Sequence, residues 1–479
     1  MTFRIVTYIV GLVLKIEAGL LLLPALVGVI YKENNFLVYL ATALACFIIG
    51  TLMSLKKPVN SKIYAKEGFL CVGFSWVFMS LLGAIPFVLT KEIPNYIDAL
   101  FETVSGFTTT GASVISDLTT ISRASLFWRS FTHFIGGMGV CVFMMAIVPL
   151  MGGRSMNIMK AESTGPSVGK LVPHAKDTAK ILYLIYIGLV TLEVIFLHFG
   201  KMSLFEALTI SFGTIGTGGF GLLGDSIASY GAYNQIGITV FMFLAGMNFT
   251  VFFLLISGKI KEIFKLEEDR WYVIIMASAI GIICFDLRGI YATAGETLRH
   301  ASFQVASIMT TTGFATVDFD AWPQLSKTIL VAVMFIGGCA GSTCGGMKVS
   351  RFVIWFKSVK KELSTLVHPR EIKKIKMDGH VVAHETVRSA NSFLAVYVVV
   401  VVFSVLLIAP DEFDFTTNFT AVVATLNDIG PGLAGVGPAR NYAAYSSFSK
   451  VVLIFDMLAG RLELFPMLFL ILPSTYRRK

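Results

Sequence analysis

Four polar, glycine-bearing segments recur along the chain. Each follows an apolar stretch too short to cross a bilayer and precedes one long enough to do so. They read Phe107-Thr108-Thr109-Thr110-Gly111-Ala112-Ser113, Ile215-Gly216-Thr217-Gly218-Gly219-Phe220, Met309-Thr310-Thr311-Thr312-Gly313-Phe314 and Asn427-Asp428-Ile429-Gly430-Pro431-Gly432. Matching Gly111, Gly218, Gly313 and Gly430 sets intervals of 107, 95 and 117 residues (218−111, 313−218, 430−313). A unit of roughly 100 residues used four times predicts a pore with pseudo-fourfold symmetry. Glycine admits backbone angles that other residues resist, so successive carbonyls can turn inward. A ring of such carbonyls can replace the water shell of a dehydrated cation.

Composition supports a membrane setting. The 479 residues are 55% hydrophobic and 14% charged, with a mean hydropathy of +0.76, whereas a soluble domain is about 25% charged. This argues against a large soluble enzyme. The net charge of +9 is not a nucleic-acid patch, because its residues sit in loops on alternate sides of the apolar spans. One loop holds Lys56, Lys57, Lys62 and Lys66. Others hold Arg154, Lys160, Lys170, Lys176 and Lys180, then Lys259, Lys261, Lys265 and Arg270, then Lys348 through Lys376, and finally Arg477-Arg478-Lys479. The intervening loops carry Asp117, Asp225, Asp318, Asp320, Asp411, Glu412 and Asp414. The positive-inside rule then puts both termini in the cytoplasm. Of the cysteines, Cys46, Cys71, Cys141 and Cys284 lie singly in apolar stretches and read as small hydrophobes, while Cys339 and Cys344 have no supporting His or acid cluster. The first apolar run carries Lys15 and Glu17 and reads as a retained helix rather than a cleaved signal.

A helix of about 20 apolar residues crosses a bilayer. Ten such spans are expected near 5–30, 36–54, 69–90, 125–150, 180–199, 232–257, 272–290, 326–356, 392–409 and 447–472. Four shorter stretches, 96–107, 203–215, 296–310 and 414–427, suit half-helices that enter the membrane and return. The expected fold is an all-α polytopic membrane protein: two N-terminal helices, then four helix–pore-loop–helix repeats around one pore. The divisions are 1–58, 59–152, 153–258, 259–362 and 363–479. Ser203-Leu204-Phe205-Glu206 and Thr293-Ala294-Gly295-Glu296 fit capping boxes, and Asp98 and Asp414 lie near the other two half-helix starts. Helices begun there aim their negative ends at the glycine loops.

The second long helix of each unit carries glycine: Gly136-Gly137, Gly246, Gly337 and Gly460. These serve as kinks or as points of close helix approach. The third unit departs furthest. Gly337-Gly338-Cys339-Ala340-Gly341-Ser342-Thr343-Cys344-Gly345-Gly346 is too glycine-rich for a helix. Irregular backbone at membrane depth must be shielded or line water, so this segment is expected to be a flexible loop below the filter that acts as a gate. Arg461 lies within the last span, paired with Asp456 or Glu463, facing the permeation path, or both.

Taken together, the four loops, the glycine-rich stretch, Arg461 and the two-helix preface resemble the membrane subunit of the Trk/Ktr/HKT potassium-transport superfamily over nearly the whole chain. The resemblance carries the filter glycines onto Gly111, Gly218, Gly313 and Gly430, with carbonyls at Thr109, Thr110, Gly216, Thr217, Thr311, Thr312, Asp428 and Ile429 completing the K⁺ sites. It implies that Gly337, Gly338, Gly341, Ser342, Thr343, Gly345 and Gly346 form the gate with Arg461 facing the pore. It further implies a homodimer in the bacterial inner membrane and a cytosolic TrkA-like regulatory subunit that binds ATP, ADP or NAD. The second loop has Gly216 where two others have Thr, and the fourth has Asp428-Ile429, so the filter reads as less uniform than a tetrameric channel's. K⁺ is the permeating ion and no organic cofactor is expected. No catalytic constellation stands out. The rival reading is a Na⁺- or H⁺-coupled potassium symporter, for which Glu193 and Asp456 are the suggestive acids.

Overall fold

A computed structural model describes residues 2–58, 65–139, 175–370 and 373–476. Lys62, Cys141, Arg154, Lys160, Lys170, the 58/59 and 152/153 divisions and Arg477-Arg478-Lys479 involve positions outside the described residues. The N-terminal preface is α1 (Thr2–Leu20), α2 (Leu22–Ile30) and α3 (Phe36–Ser54). The first unit holds α4 (Ala65–Gly83), α5 (Ile85–Leu89), α6 (Tyr96–Phe107) and α7 (Arg123–Gly137). The second holds α8 (Ala175–Phe199), α9 (Leu204–Ile215), α10 (Ala232–Ala245) and α11 (Phe249–Ile256). After the short α12 (Ile260–Ile263), the third unit has α13 (Glu267–Asp286), α14 (Ala294–Met309), α15 (Gln324–Ile336) and α16 (Val349–Val367). A two-stranded antiparallel hairpin, β1 (Lys376–Met377) and β2 (His380–Val381), leads into α17 (His384–Ile408), α18 (Phe415–Leu426), α19 (Ser447–Arg461) and α20 (Phe465–Ile471).

Segments Arg4–Ile30, Phe36–Ser54, Lys66–Leu89, Lys180–Phe199 and His384–Asp411 are each long and apolar enough to cross a membrane. Three expected spans are instead broken. The 232–257 span bends by 93° between α10 and α11. The 326–356 span stops where Gly337 turns left-handed (φ 75°) and resumes after Lys348 (φ 74°). The 447–472 span breaks at Glu463 and Leu464, both left-handed (φ 59° and 61°). Left-handed residues cannot continue a right-handed helix, so each marks a break.

The short helices α6, α9, α14 and α18 lie within two residues of the expected half-helices. Their starts are capped by side chains. Asn95 accepts from the Ile97 amide, Ser203 and Glu206 form a reciprocal box, Thr293 accepts from the Glu296 amide, and Asp414 accepts from the Thr417 amide. Asn95, rather than Asp98, therefore caps the first. Bonds from the Thr417 hydroxyl and amide hold the Asp414 carboxyl below its usual range, so this cap persists until pH falls through that lowered value.

Packing closes the units into a ring. Each short helix touches a long helix of its own unit and the second long helix of another: α9 against α7, α14 against α10, α18 against α15, and α6 against α19. The last pairing joins the fourth unit to the first. Glycines permit the tightest approaches. A Cβ on Gly136 would lie 1.9 Å from the Phe107 carbonyl, and one on Gly460 2.2 Å from that of Leu426. Close packing thus explains both positions.

Gly460→Ala is expected to cost roughly 1–3 kcal/mol, because a backbone carbonyl stands where the methyl must go. Gly281→Ala, with nothing within 4 Å of its Cβ, is expected to be neutral or stabilising, since Ala favours helix by about 1 kcal/mol over Gly. Thermal unfolding of the two purified variants checks the contrast; equal effects would contradict the packing described.

Candidate ion-conduction site

The four glycine loops share one backbone construction. In each, one residue is left-handed although it is not glycine: Thr109 (φ 60°), Thr217 (φ 55°), Thr311 (φ 55°) and Asp428 (φ 55°). Two residues later a glycine is left-handed again: Gly111 (φ 79°), Gly219 (φ 75°), Gly313 (φ 84°) and Gly430 (φ 93°). The intervening residue returns its amide to the short helix five positions back, in the pairs Thr110 to Ser105, Gly218 to Gly213, Thr312 to Ser307 and Ile429 to Ala424, at 2.7–2.9 Å. Four non-identical sequences thus repeat one fold of the chain.

The loops also meet. A Cβ on Gly111 would lie 2.0 Å from the Gly218 carbonyl oxygen, one on Gly219 1.9 Å from that of Thr312, one on Gly313 2.1 Å from that of Ile429, and one on Gly430 2.6 Å from that of Thr110. The contact runs from loop one to two, three, four and back to one. The four loops therefore surround a common axis, and glycine is required where each passes its neighbour's carbonyl. Gly111, Gly219, Gly313 and Gly430 all line one open cleft, together with Ser113, Asn441 and other residues.

This geometry corrects the second loop's register. Gly219, not Gly218, stands where Gly111, Gly313 and Gly430 stand. Thr217 takes the position of Thr109 and Thr311, and Gly216 that of Thr108. Thr109, Thr217 and Thr311 hold one equivalent position, which Asp428 fills in the fourth loop, while the second loop departs at Gly216 and Gly218, where the first and third have Thr.

Behind the loops sits a polar scaffold that sequence reasoning missed. Threonine hydroxyls bond the carbonyls one turn back, as Thr108 does to Val104 (2.7 Å) and Thr425 to Ala421 (2.8 Å). Glu102 on α6 and Arg129 on α7 form a buried ion pair. Glu102 also accepts from Ser113 Oγ (3.0 Å) and the Val114 amide (2.9 Å), while Arg129 donates to the Gly221 carbonyl (2.9 Å) and stacks on Phe220. One pair thereby ties loop one to loop two. His133 does likewise: its Nε2 accepts from the Phe220 amide (3.3 Å), which leaves Nδ1 to donate to the Gly106 carbonyl (2.8 Å). The available signal was a charge inside each of two apolar stretches.

The glycine-rich segment of the third unit lies against the ring. The Gly345 amide donates to Thr311 Oγ1 (2.7 Å). Arg461 donates to the Thr343 carbonyl (2.9 Å), to Thr109 Oγ1 (3.3 Å) and to the Gly136 carbonyl. Glu463 pairs with Arg351, and Asp456 accepts from Ser404 Oγ (2.7 Å). Lys348, fully buried, donates to the Cys344 carbonyl. Two cationic side chains therefore flank the segment. Its far side is anchored by Glu268, which accepts from the Ala340 and Ser350 amides (2.6 and 3.0 Å). Asp269 accepts from the Asn248 amide (3.1 Å) at the bend between α10 and α11. Gly246 at that bend accepts from the Cys339 amide (2.9 Å). Gly337, Gly338, Gly341, Ser342 and Gly346 complete this loop outside any helix. Cys339 and Cys344 are free thiols, and no metal-binding cluster occurs among the described residues.

Fold and site together define a predominantly helical, polytopic membrane transport protein built around one axis. Residues 36–476 match the TrkH family, described as cation transport proteins. The Trk system potassium uptake protein TrkH of Salmonella typhimurium is 36% identical over 486 residues, with the whole of both chains covered. TrkG of Escherichia coli K12 is 33% identical, covering 98% of this chain and 97% of its own. The crystal structure of the potassium transporter TrkH from Vibrio parahaemolyticus superposes with a TM-score of 0.89 at 33% identity over both full chains. The chain belongs to the TrkH family, and it is a transport protein rather than an enzyme.

Arg129→Met is expected to destabilise the protein by about 3–5 kcal/mol, because it strands the Glu102 carboxylate in the interior. Thermal unfolding measures this; a shift no larger than that of a lipid-facing substitution would refute the scaffold role.

Proposed function

We propose that the chain conducts potassium through the axis of the four loops, down its electrochemical gradient. The closed cycle of loop contacts carries this reading, because it brings carbonyls of all four units to one axis. Ion sites are assigned to carbonyls of Thr109, Thr110 and Gly111, of Thr217, Gly218 and Gly219, of Thr311, Thr312 and Gly313, and of Asp428, Ile429 and Gly430. Gly216 falls one residue outside this set. The negative ends of α6, α9, α14 and α18 favour a cation there. Potassium is the ion named for the relatives, and the membrane potential supplies about 2.3 kcal/mol per charge per 100 mV for inward movement.

The loop from Gly337 to Gly346, with Lys348 and Arg461, acts as the gate: its position beneath Thr109 and Thr311 and its two positive charges oppose a cation leaving the filter. We place it on the cytoplasmic side, with both termini, in a bacterial inner membrane. A homodimer and a cytosolic TrkA-like nucleotide-binding subunit complete the working assembly, the latter acting on the gate.

Reconstituted flux under clamped voltage tests conduction against coupled symport. Potassium current that ignores imposed Na⁺ and H⁺ gradients supports the pore; current that requires either gradient overturns it. Gly219→Ala is expected to lower the Rb⁺/Na⁺ uptake ratio about fivefold or more, since a methyl there displaces a filter carbonyl; an unchanged ratio in folded protein would refute the filter assignment. Shortening the loop between Gly341 and Gly345 is expected to raise ⁸⁶Rb⁺ flux, and flux that is unchanged or lower would reduce the loop to packing.

A further inference from the structure

We propose that the side chains of Asp428, Thr109 and Thr311 form a cation site at the gate side of the filter, whose two hydroxyl oxygens receive hydrogen-bond donors of the gate in this structure. The proposal rests on the filter and gate reading above.

The three residues hold equivalent left-handed positions in the fourth, first and third loops. All three are fully buried. Thr109 Oγ1 receives Arg461, and Thr311 Oγ1 receives the Gly345 amide. Asp428 Oδ1 accepts from Thr110 Oγ1 (2.9 Å), but Oδ2 has no hydrogen-bond partner among the described residues. That oxygen lies against the gate. A Cβ on Gly345 would stand 3.1 Å from it and one on Gly460 3.2 Å. The second loop's counterpart, Thr217, turns its hydroxyl to the Gly216 carbonyl (2.7 Å) instead.

Oxygens that attract a guanidinium and an amide N–H are the kind that attract a hard cation. A buried carboxylate oxygen with no donor is costly unless a positive charge or a donor reaches it. When the loop and Arg461 withdraw, two hydroxyl oxygens are released and the unpartnered carboxyl oxygen of Asp428 is uncovered beside them. The ligand class is an alkali cation in transit, with an alkaline-earth ion as competitor. Gate closure and ion occupancy then exclude each other, so a cation at this site favours the open gate by linkage. A carboxyl in one of four units, once ionised, also makes this innermost site bind cations more strongly than carbonyls alone.

Ba²⁺ applied from the gate side of the full chain in planar bilayers is the probe. Asp428→Asn keeps the shape and an acceptor for Thr110 while removing the charge. Asp428→Thr restores the residue of the other three loops and serves if the first variant fails to fold. Both are expected to weaken gate-side block about tenfold and to leave block from the opposite side unchanged. Gate-side block equal to that of the unaltered protein in a folded variant would show the carboxyl to be a packing partner of Thr110 and would overturn the proposal. If Gly219→Ala still lowers the Rb⁺/Na⁺ ratio in that case, the filter reading stands without the inner site. If Gly219→Ala leaves the ratio unchanged, both fall.

Discussion

A carbonyl at membrane depth must face a partner, and a chain that turns successive carbonyls toward one axis cannot supply that partner itself. The paired left-handed residues at 109 and 111, 217 and 219, 311 and 313, and 428 and 430 meet this constraint. Three of the four first positions are threonines and one is aspartate, residue types that enter the left-handed region at a cost of order 1 kcal/mol or more. The cost is offset because the residue between each pair is bonded to the short helix behind. Helix starts, the Glu102–Arg129 pair and the close-approach glycines all serve to hold that backbone.

Much of this was legible from the chain. The half-helices could be placed because a dozen apolar residues between polar loops cannot span a bilayer. The broken third unit could be placed because five glycines between Gly337 and Gly346 oppose a helix. The register of the second loop was not legible: Gly218 and Gly219 are adjacent, and only φ distinguishes the one that passes the Thr312 carbonyl. Nor was the break after Arg461, since Leu462, Glu463 and Leu464 carry no turn signal and Leu464 is left-handed through its tertiary setting. Glu102 and Arg129 stand 27 residues apart, beyond any local spacing rule.

The equivalence of the units ends where the glycine-rich segment meets the ring. Among the described residues, the third unit replaces part of its second long helix with a ten-residue glycine-rich loop from Gly337 to Gly346, and that loop is anchored from several helices. Glu268 on α13 holds the Ala340 amide, and Arg461 on α19 holds the Thr343 carbonyl. The Phe249 amide, at the start of α11, donates to the Gly341 carbonyl (3.2 Å). The 93° bend between α10 and α11 is part of the same arrangement, because it presents the Gly246 carbonyl to the Cys339 amide.

One chain carrying four units can place such a feature once, which four identical subunits cannot. A single loop reaches the ring through the Gly345 amide on Thr311, and a single arginine bridges that loop to Thr109 of the first glycine loop. The same freedom allows one unit to carry a carboxylate where three carry hydroxyls. The charge balance at this end of the ring is struck between Asp428 and Lys348, both buried, and Arg461, which reaches Thr109. Under the proposed gating, two positive groups facing one carboxyl would oppose a cation in this arrangement. On the proposed gating, withdrawing Arg461 and the loop would leave Lys348 facing Asp428 and so remove the excess positive charge from the inner end of the path.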